Sequence, residues 1–320
     1  MTTMSQLVTG IHHVTALAGS PQKNIDFYAG ILGLRLVKKT VNFDAPEVYH
    51  FYYGDELGHP GSIMTFFPYG DIMKGRHGKG MLNTTTFSAP ASSLDYWQQR
   101  LKKFNTRFKQ PQGRFNDEVV IYFEDEDGLG LELVFNDRDE RKGFTYGHIP
   151  IENSIKGFYN VDIWEEGYER TAAVLTEQLD HKLIAEKSNR FRFAATDAPG
   201  NYVDVLCAPD SLRGLGGNGT VHHIAFATAN KQTQEEVRTK IVQRMLNPTP
   251  ILDRQYFTSI YFREPGGVLF EVATAEPGFA IDEDKAHLGE ALKLPEWYEP
   301  HRDVIEKAVT PVNFNAEKFA

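Results

Sequence analysis

The chain has 320 residues, 41% hydrophobic and 24% charged, with 34 basic against 43 acidic side chains and a formal net charge of −9. Such a composition suits a globular protein of about two domains, and an acidic chain without a Lys/Arg-rich run is repelled by phosphate backbones, which excludes nucleic acid as an expected partner. A single cysteine, Cys207, rules out a disulfide framework and a multi-cysteine zinc site. No apolar run approaches the roughly 18–20 residues of a membrane helix, so no membrane partner is expected. The opening Met-Thr-Thr-Met-Ser-Gln lacks the basic and apolar regions of a secretory signal, and a cytoplasmic location is expected. Of the residues able to carry chemistry, the 11 histidines are the ones to follow.

In chain order, the first strand-like segment is Gly10-Ile11-His12-His13-Val14. A helix should follow, with Ser20 as N-cap, Pro21 at the first position, Ile25, Tyr28 and Leu32 on one face, and Gly33 as the stop. Val48–Tyr53 reads as a strand, Pro60-Gly61 as a turn, and Ile63–Phe67 as the closing strand. The same order returns from Leu82–Phe87, through a helix near Ser92–Phe104, to Gly128–Val134. The charged stretch from Asn136 to about Asn153 has no apolar periodicity and reads as a linker. A third copy runs from Gly157–Asp162, through a helix near Tyr168–Leu179, to Gly200–Leu206.

The run Gly214-Leu215-Gly216-Gly217-Asn218-Gly219 neither follows a strand nor opens a helix, so it reads as a flexible hinge and not as a dinucleotide fingerprint. The fourth copy then begins with Thr220-Val221-His222-His223-Ile224. Val237, Ile241 and Met245 repeat at helical spacing before Asn247-Pro248. Phe257–Phe262 and Val268–Ala273 flank a Pro265-Gly266-Gly267 turn. The tail should hold a helix from Pro300 to Val309, and its Leu294–Arg302 segment either covers a domain opening or caps a surface. The repeated unit is strand, helix and three strands, and internal repetition on this scale defines the architecture. The expected organisation is 8–136 for modules 1 and 2, 154–275 for modules 3 and 4, and 276–320 as a tail.

Side-by-side alignment of the copies carries the chemistry. The His-His pair occurs in copies one and four, whereas copy two has Thr/Asn and copy three Tyr159-Asn160 at that place. Counted from the glycine turn, Glu271 aligns with Thr65, Glu132 and Asp204. Two imidazoles and one carboxylate form the facial set that binds non-haem Fe(II) and leaves positions open for other ligands. Because side chains alternate along a strand, adjacent histidines cannot both face one ion. If copy one and Glu271 share an ion, copy one must pack against copy four.

This pattern resembles the vicinal oxygen chelate superfamily, also called the glyoxalase/extradiol dioxygenase superfamily, over most of the chain. The resemblance implies an α+β fold of four βαβββ modules in two open barrels, with modules 1 and 4 pairing around the metal and modules 2 and 3 pairing without one. It implies His13, His223 and Glu271 as ligands of Fe(II), with Mn(II) as the alternative, and His12 and His222 as supporting or acid–base residues. Thr15 should face the same cavity, while Arg254 and Tyr261 match positions that contact substrate oxygens. The nearest likeness is to hydroquinone-type ring-cleaving dioxygenases, whose partners are a small hydroquinone-like or catecholic ring and O2. A homo-oligomer is left open. The competing reading is a non-oxidative glyoxalase-like isomerase or thiol transferase using Zn, Ni or Mn. The isomerase uses a second carboxylate, and here Thr65 stands in that place. His50, His59, His77, His148, His181 and His287 have no aligned partner and are expected to be structural or exposed.

Overall fold

The computed structural model describes residues 6–115 and 117–320. Among the described residues, sixteen strands form two eight-stranded sheets. The first half of the chain supplies β1 (Ile11–Ala18), β2 (Arg35–Asn42), β3 (Ala45–Gly54), β4 (Ile63–Pro68), β5 (Met81–Ala89), β6 (Gln112–Arg114), β7 (Glu118–Glu124) and β8 (Gly130–Phe135). The second supplies β9 (Gly157–Glu165), β10 (Lys182–Lys187), β11 (Arg190–Ala194), β12 (Tyr202–Cys207), β13 (Thr220–Thr228), β14 (Leu252–Asp253), β15 (Phe257–Arg263) and β16 (Leu269–Pro277). One sheet has the order β14-β15-β16-β13-β1-β4-β3-β2, the other β10-β11-β12-β9-β5-β8-β7-β6. The outer quarters of the chain thus share one sheet and the inner quarters the other. Among the described residues no helix is long and apolar enough to cross a membrane.

Alternation on β1 divides its side chains between two environments. Val14, Ala16 and Ala18 enter the apolar core with Ile25, Phe27 and Tyr28 of the following helix, while His13, Thr15 and Leu17 face a cavity; the bulge between Ile11 and His13 lets Ile11 join the core as well. That helix starts as α1 (Pro21–Ile25), where Ser20 accepts from the Lys23 N–H. It then widens to a π segment, Asp26–Ile31. Gly33 closes it at φ +67°, where a Cβ would stand 2.4 Å from the Ile149 side chain. The remaining helices are α2 (Leu94–Lys103), α3 (Glu169–Glu177), α4 (Lys231–Gln243) and α5 (Arg302–Ala308). α4 opens on a reciprocal Asn230–Thr233 cap and stops earlier than the periodicity suggests. Met245 is 88% exposed at φ +62°, so it follows the helix end and is not part of its buried face.

Two segments are more ordered than the sequence suggests. The glycine run is not a hinge but half of a paired ribbon: Leu215 and Arg76 exchange backbone hydrogen bonds of 2.8 Å, and Gly75 and Asn218 donate at 2.9 Å to Asn218 and Met73. Glycine permits this approach, since a Cβ on Gly78 would lie 2.2 Å from the Leu212 carbonyl oxygen. The linker is pinned by Arg141, which chelates buried Asp139 and donates to the carbonyls of Gly61 and Phe158. In the tail, wholly buried Lys38 pairs with Asp282 at 2.6 Å, and Tyr298 Oη donates at 2.8 Å to the Phe43 carbonyl.

The interior of the inner sheet is filled by charge. Arg192 Nε reaches Asp204 at 2.7 Å and its guanidinium also pairs with Glu118. Arg190 bridges Asp162 and Asp204 at 2.6 and 2.8 Å. Arg114 binds Glu132 at 2.5 Å and Asn160 at 2.7 Å. Deleting one partner of such a network strands the others in a low-dielectric interior. Arg192→Leu should therefore destabilise the protein by about 3–5 kcal/mol, read by urea unfolding. A loss within the scatter of surface variants would contradict a paired network.

Between the halves, buried Glu165 abuts Gly266, whose N–H donates to Glu264 at 2.8 Å. Burial, then the charge of Glu264, pushes the Glu165 carboxyl up from 4.5 to about 8. The native state therefore holds an extra proton across that interval, and stability contributed by this group falls as pH rises from 4.5 towards about 8. Glu165→Gln should flatten this decline in a series of thermal melts; an unchanged slope would exclude Glu165 as its source.

Candidate metal centre

The meeting of β1 and β13 sets the site. They run antiparallel with Thr15 opposite His223 and His13 opposite Ala225, and β16 runs beside β13 with Glu271 opposite Ala225. This register brings His13, His223 and Glu271 together in the interior, all buried. His13 Nε2 and His223 Nε2 lie 3.2 Å apart, and Glu271 Oε2 is 3.2 Å from the first and 2.8 Å from the second. Despite this closeness, the enclosed Oε2 accepts no well-directed hydrogen bond, while Ser259 satisfies Oε1. Three lone-pair atoms thus converge on one point. An orphaned carboxylate oxygen between two ring nitrogens fits a bound divalent cation.

Protonation states agree with that fit. Burial opposes ionisation of Glu271, but the imidazoles of His13 and His223 outweigh it and hold the carboxyl well below its ordinary range. For His223, burial dominates and favours the neutral ring that a metal requires.

His12 sets the tautomer of His13. Its Nε2 lies 3.1 Å from the Thr274 carbonyl, which can only accept, so Nε2 carries the proton. His12 Nδ1 is then an acceptor, and His13 Nδ1, 2.9 Å away, must donate to it. That leaves the His13 Nε2 lone pair facing Glu271. His222 Nδ1 makes the corresponding 2.7 Å contact with His223 Nδ1.

A cavity of about 310 Å³ opens above the triad, lined by His13, Thr15, His222, His223, Arg254 and Tyr261 among others. The cavity brings together Thr15, Arg254 and Tyr261, and His222 is exposed at its wall. His12 requires correction as an acid–base candidate. Both its nitrogens are engaged, it is 2% exposed, and it is absent from the cavity lining. What remains for it is the orientation of His13. Arg254 lies over the Tyr261 ring at 5.3 Å, donates to its hydroxyl at 3.2 Å, and pairs with Asp44 at 3.2 Å. Burial, then Glu271, pushes the Tyr261 phenol upward and keeps it protonated.

Sequence reasoning passed over several lining residues. His50, treated as structural or exposed, lies in the cavity wall, as do Tyr52, Phe67 and Phe257. A signal for His50 was available: it precedes Tyr52 by two residues, and Tyr52 faces Thr65 as Tyr261 faces Glu271. Phe43, in the cavity lining, packs edge-on against Trp297 of the tail at 5.5 Å. The tail segment thus backs a residue of the cavity wall.

Residues 10–133 and 160–272 match the model of the Glyoxalase/Bleomycin resistance protein/Dioxygenase superfamily. The chain belongs to this superfamily. Two similar superfamily proteins are MhqE and MhqO of Bacillus subtilis (strain 168), whose names provisionally assign them as ring-cleaving dioxygenases. MhqE is 44% identical over 92% of this chain and 96% of its own, and MhqO 41% identical over 96% and 98%. The chlorohydroquinone/hydroquinone 1,2-dioxygenase of Sphingobium indicum is 32% identical over 95% of this chain and 97% of its own. A crystal structure of a provisionally assigned dioxygenase from Bacillus subtilis subsp. subtilis str. 168 superposes with TM-score 0.92 at 41% identity, covering 97% and 99% of the two chains. Glyoxalase I of Zea mays, at 14% identity and TM-score 0.64 over 83% and 92%, shares the superfamily fold.

Removing the orienting hydrogen bond should weaken metal binding without removing a ligand. His12→Ala is expected to lose about 10–100-fold in Zn(II) affinity by calorimetric titration, and Glu271→Ala considerably more. Unchanged affinity in His12→Ala would exclude the orienting role.

Proposed function

We propose that this chain is a cytoplasmic non-haem Fe(II) ring-cleaving dioxygenase that inserts both atoms of O2 into a hydroquinone-like aromatic ring. Mn(II) is the alternative metal, since it accepts the same ligand types. The observation that carries the proposal is the buried triad of two imidazoles and one carboxylate with Thr65 in the corresponding fourth place. Thr15 faces Thr65 as Ala225 faces Glu271, so a hydroxyl stands where a second carboxylate would make a closed set. Three strong protein ligands on one side leave neighbouring positions for a substrate oxygen and dioxygen. The printed names of MhqE, MhqO and the Sphingobium enzyme support ring cleavage, and the last supports a hydroquinone as substrate class.

Bound at the triad, iron would acidify a ring hydroxyl and couple electron-rich ring and O2. The chain's own residues perform the rest. Phe257, Phe67 and Tyr52 give the cavity apolar walls for a planar ring. Arg254 offers a permanent positive charge to a phenolate oxygen. Tyr261, kept protonated, can donate its hydroxyl proton to an oxygen that gains charge during the reaction. His222, exposed at the wall with Nδ1 engaged by His223, has its pKa lowered to about 3 by burial and then by His223, and so offers the cavity a neutral ring as a hydrogen-bond partner.

The test is oxygen consumption by anaerobically Fe(II)-loaded protein offered a substituted hydroquinone or a catechol. Uptake with a ring-opened chromophore is expected, faster with the hydroquinone. His223→Ala should abolish iron binding and uptake, and Tyr261→Phe should lower kcat by about 10²-fold at unchanged iron content. No uptake by protein holding one equivalent of iron would overturn the proposal. Turnover of a glutathione hemithioacetal without oxygen would then favour the isomerase reading.

A further inference from the structure

His50 occupies a place that the internal repeat makes informative. It lies on β3 two residues before Tyr52, so both side chains face the barrel interior. Tyr52 pairs with Thr65 as Tyr261 pairs with Glu271, which makes His50 the counterpart of Ser259. Ser259 donates to the carboxylate of Glu271. His50 Nε2 lies 2.8 Å from the hydroxyl of Thr65, which in turn lies 3.0 Å from that of Thr15. An imidazole thus stands beside the position from which the second carboxylate is missing.

The two nitrogens of His50 have different surroundings. Nε2 is tethered to Thr65, and the ring is held between Tyr52 and Phe67 at centroid distances of 4.0 and 4.3 Å. Nδ1 makes no hydrogen bond to the described residues and is not among the enclosed unpaired atoms, while the side chain lines the cavity. The tether therefore fixes the ring and leaves one polar atom open to whatever fills the cavity. If Nε2 donates to Thr65, Nδ1 is an acceptor; if Thr65 donates, Nδ1 carries a proton. A hydroxyl complements either state, because it both donates and accepts. A C–H edge complements neither.

We propose that His50 is a specificity-determining residue whose open Nδ1 hydrogen-bonds a ring hydroxyl of the substrate that the metal ligands do not hold. This rests on the reading of the cavity as a site for hydroxylated aromatic rings. A para-dihydroxy ring carries its second hydroxyl across the ring from the first, where it can meet a wall residue. In a ring with adjacent hydroxyls both groups lie on one edge, and His50 goes unpaired. Leaving a desolvated polar group without its partner disfavours the wrong ligand.

The test compares hydroquinone with phenol as binding probes for the full-length Zn(II)-loaded protein, by calorimetric or fluorescence titration. Zn(II) takes the triad without oxidation chemistry, so the readout is independent of turnover. The wild type should prefer hydroquinone by about 10–100-fold, and His50→Phe should erase that preference while keeping Zn(II) affinity. His50→Leu gives the same readout where the larger ring is not accommodated, and His50→Asn should restore part of the preference. A wild type without preference, or a His50→Phe or His50→Leu variant that keeps it, would overturn the assignment. Absent O2 uptake by the iron form, with the hydroquinone preference intact, would overturn the dioxygenase reading alone.

Discussion

The antiparallel contact between β1 and β13 is the constraint from which the site follows. These strands lie about 200 residues apart in sequence yet are neighbours in one sheet, with Thr15 facing His223. That register places His13 and His223 on the same face, two positions out of step, so their Nε2 atoms meet at 3.2 Å and not side by side along one strand. The parallel partners β4 and β16 then deliver Thr65 and Glu271 to the same interior. A slip of β1 by one residue against β13 would send His13 into the helix-facing core and leave His223 without its partner imidazole. Apolar residues on the opposite face of β1, such as Val14 and Ala16, make such a slip costly.

The two sheets answer the same electrostatic problem in different ways. By register, Thr84 and Asn160 of the inner sheet stand where the outer sheet has His13 and His223, while Glu132 and Asp204 correspond to Thr65 and Glu271. The inner carboxylates face guanidinium groups of Arg114, Arg190 and Arg192. Arg192 even occupies the register position of Tyr261, each opposite its module's carboxylate. A covalently attached cation thus faces each inner carboxylate, whereas the outer Glu271 faces two imidazoles that could hold a cation with it.

Much of this was legible because it is periodic. The repeated His-His segments and the four glycine turns locate the modules, and Glu271 stands out once the closing strands are aligned. Side-chain alternation required that only one histidine of each pair face the ion, but it could not say which. In the structure His13 and His223 converge on Glu271, while the His12 ring is drawn to the Thr274 carbonyl. Other features escaped because they depend on contacts distant in sequence. His50 has no histidine counterpart in the other modules, and only its spacing from Tyr52 hints at its direction. The glycine run suggested freedom, whereas it serves close backbone pairing with residues 73–79. The arginines of the inner barrel look like ordinary surface charge on short strands until their partners are seen.

The division of the chain into inner and outer sheets has a consequence for biosynthesis. All strands of the inner sheet lie between Met81 and Cys207, a contiguous stretch that emerges whole before β13 exists. The outer sheet cannot close until β16, ending at Pro277, is available to a first module made long before. Until then β1 presents an unpaired edge and two histidines without their carboxylate. The inner strands are thus complete in the chain first, and the group of His13, His223 and Glu271 is assembled only once β16 has joined the first module.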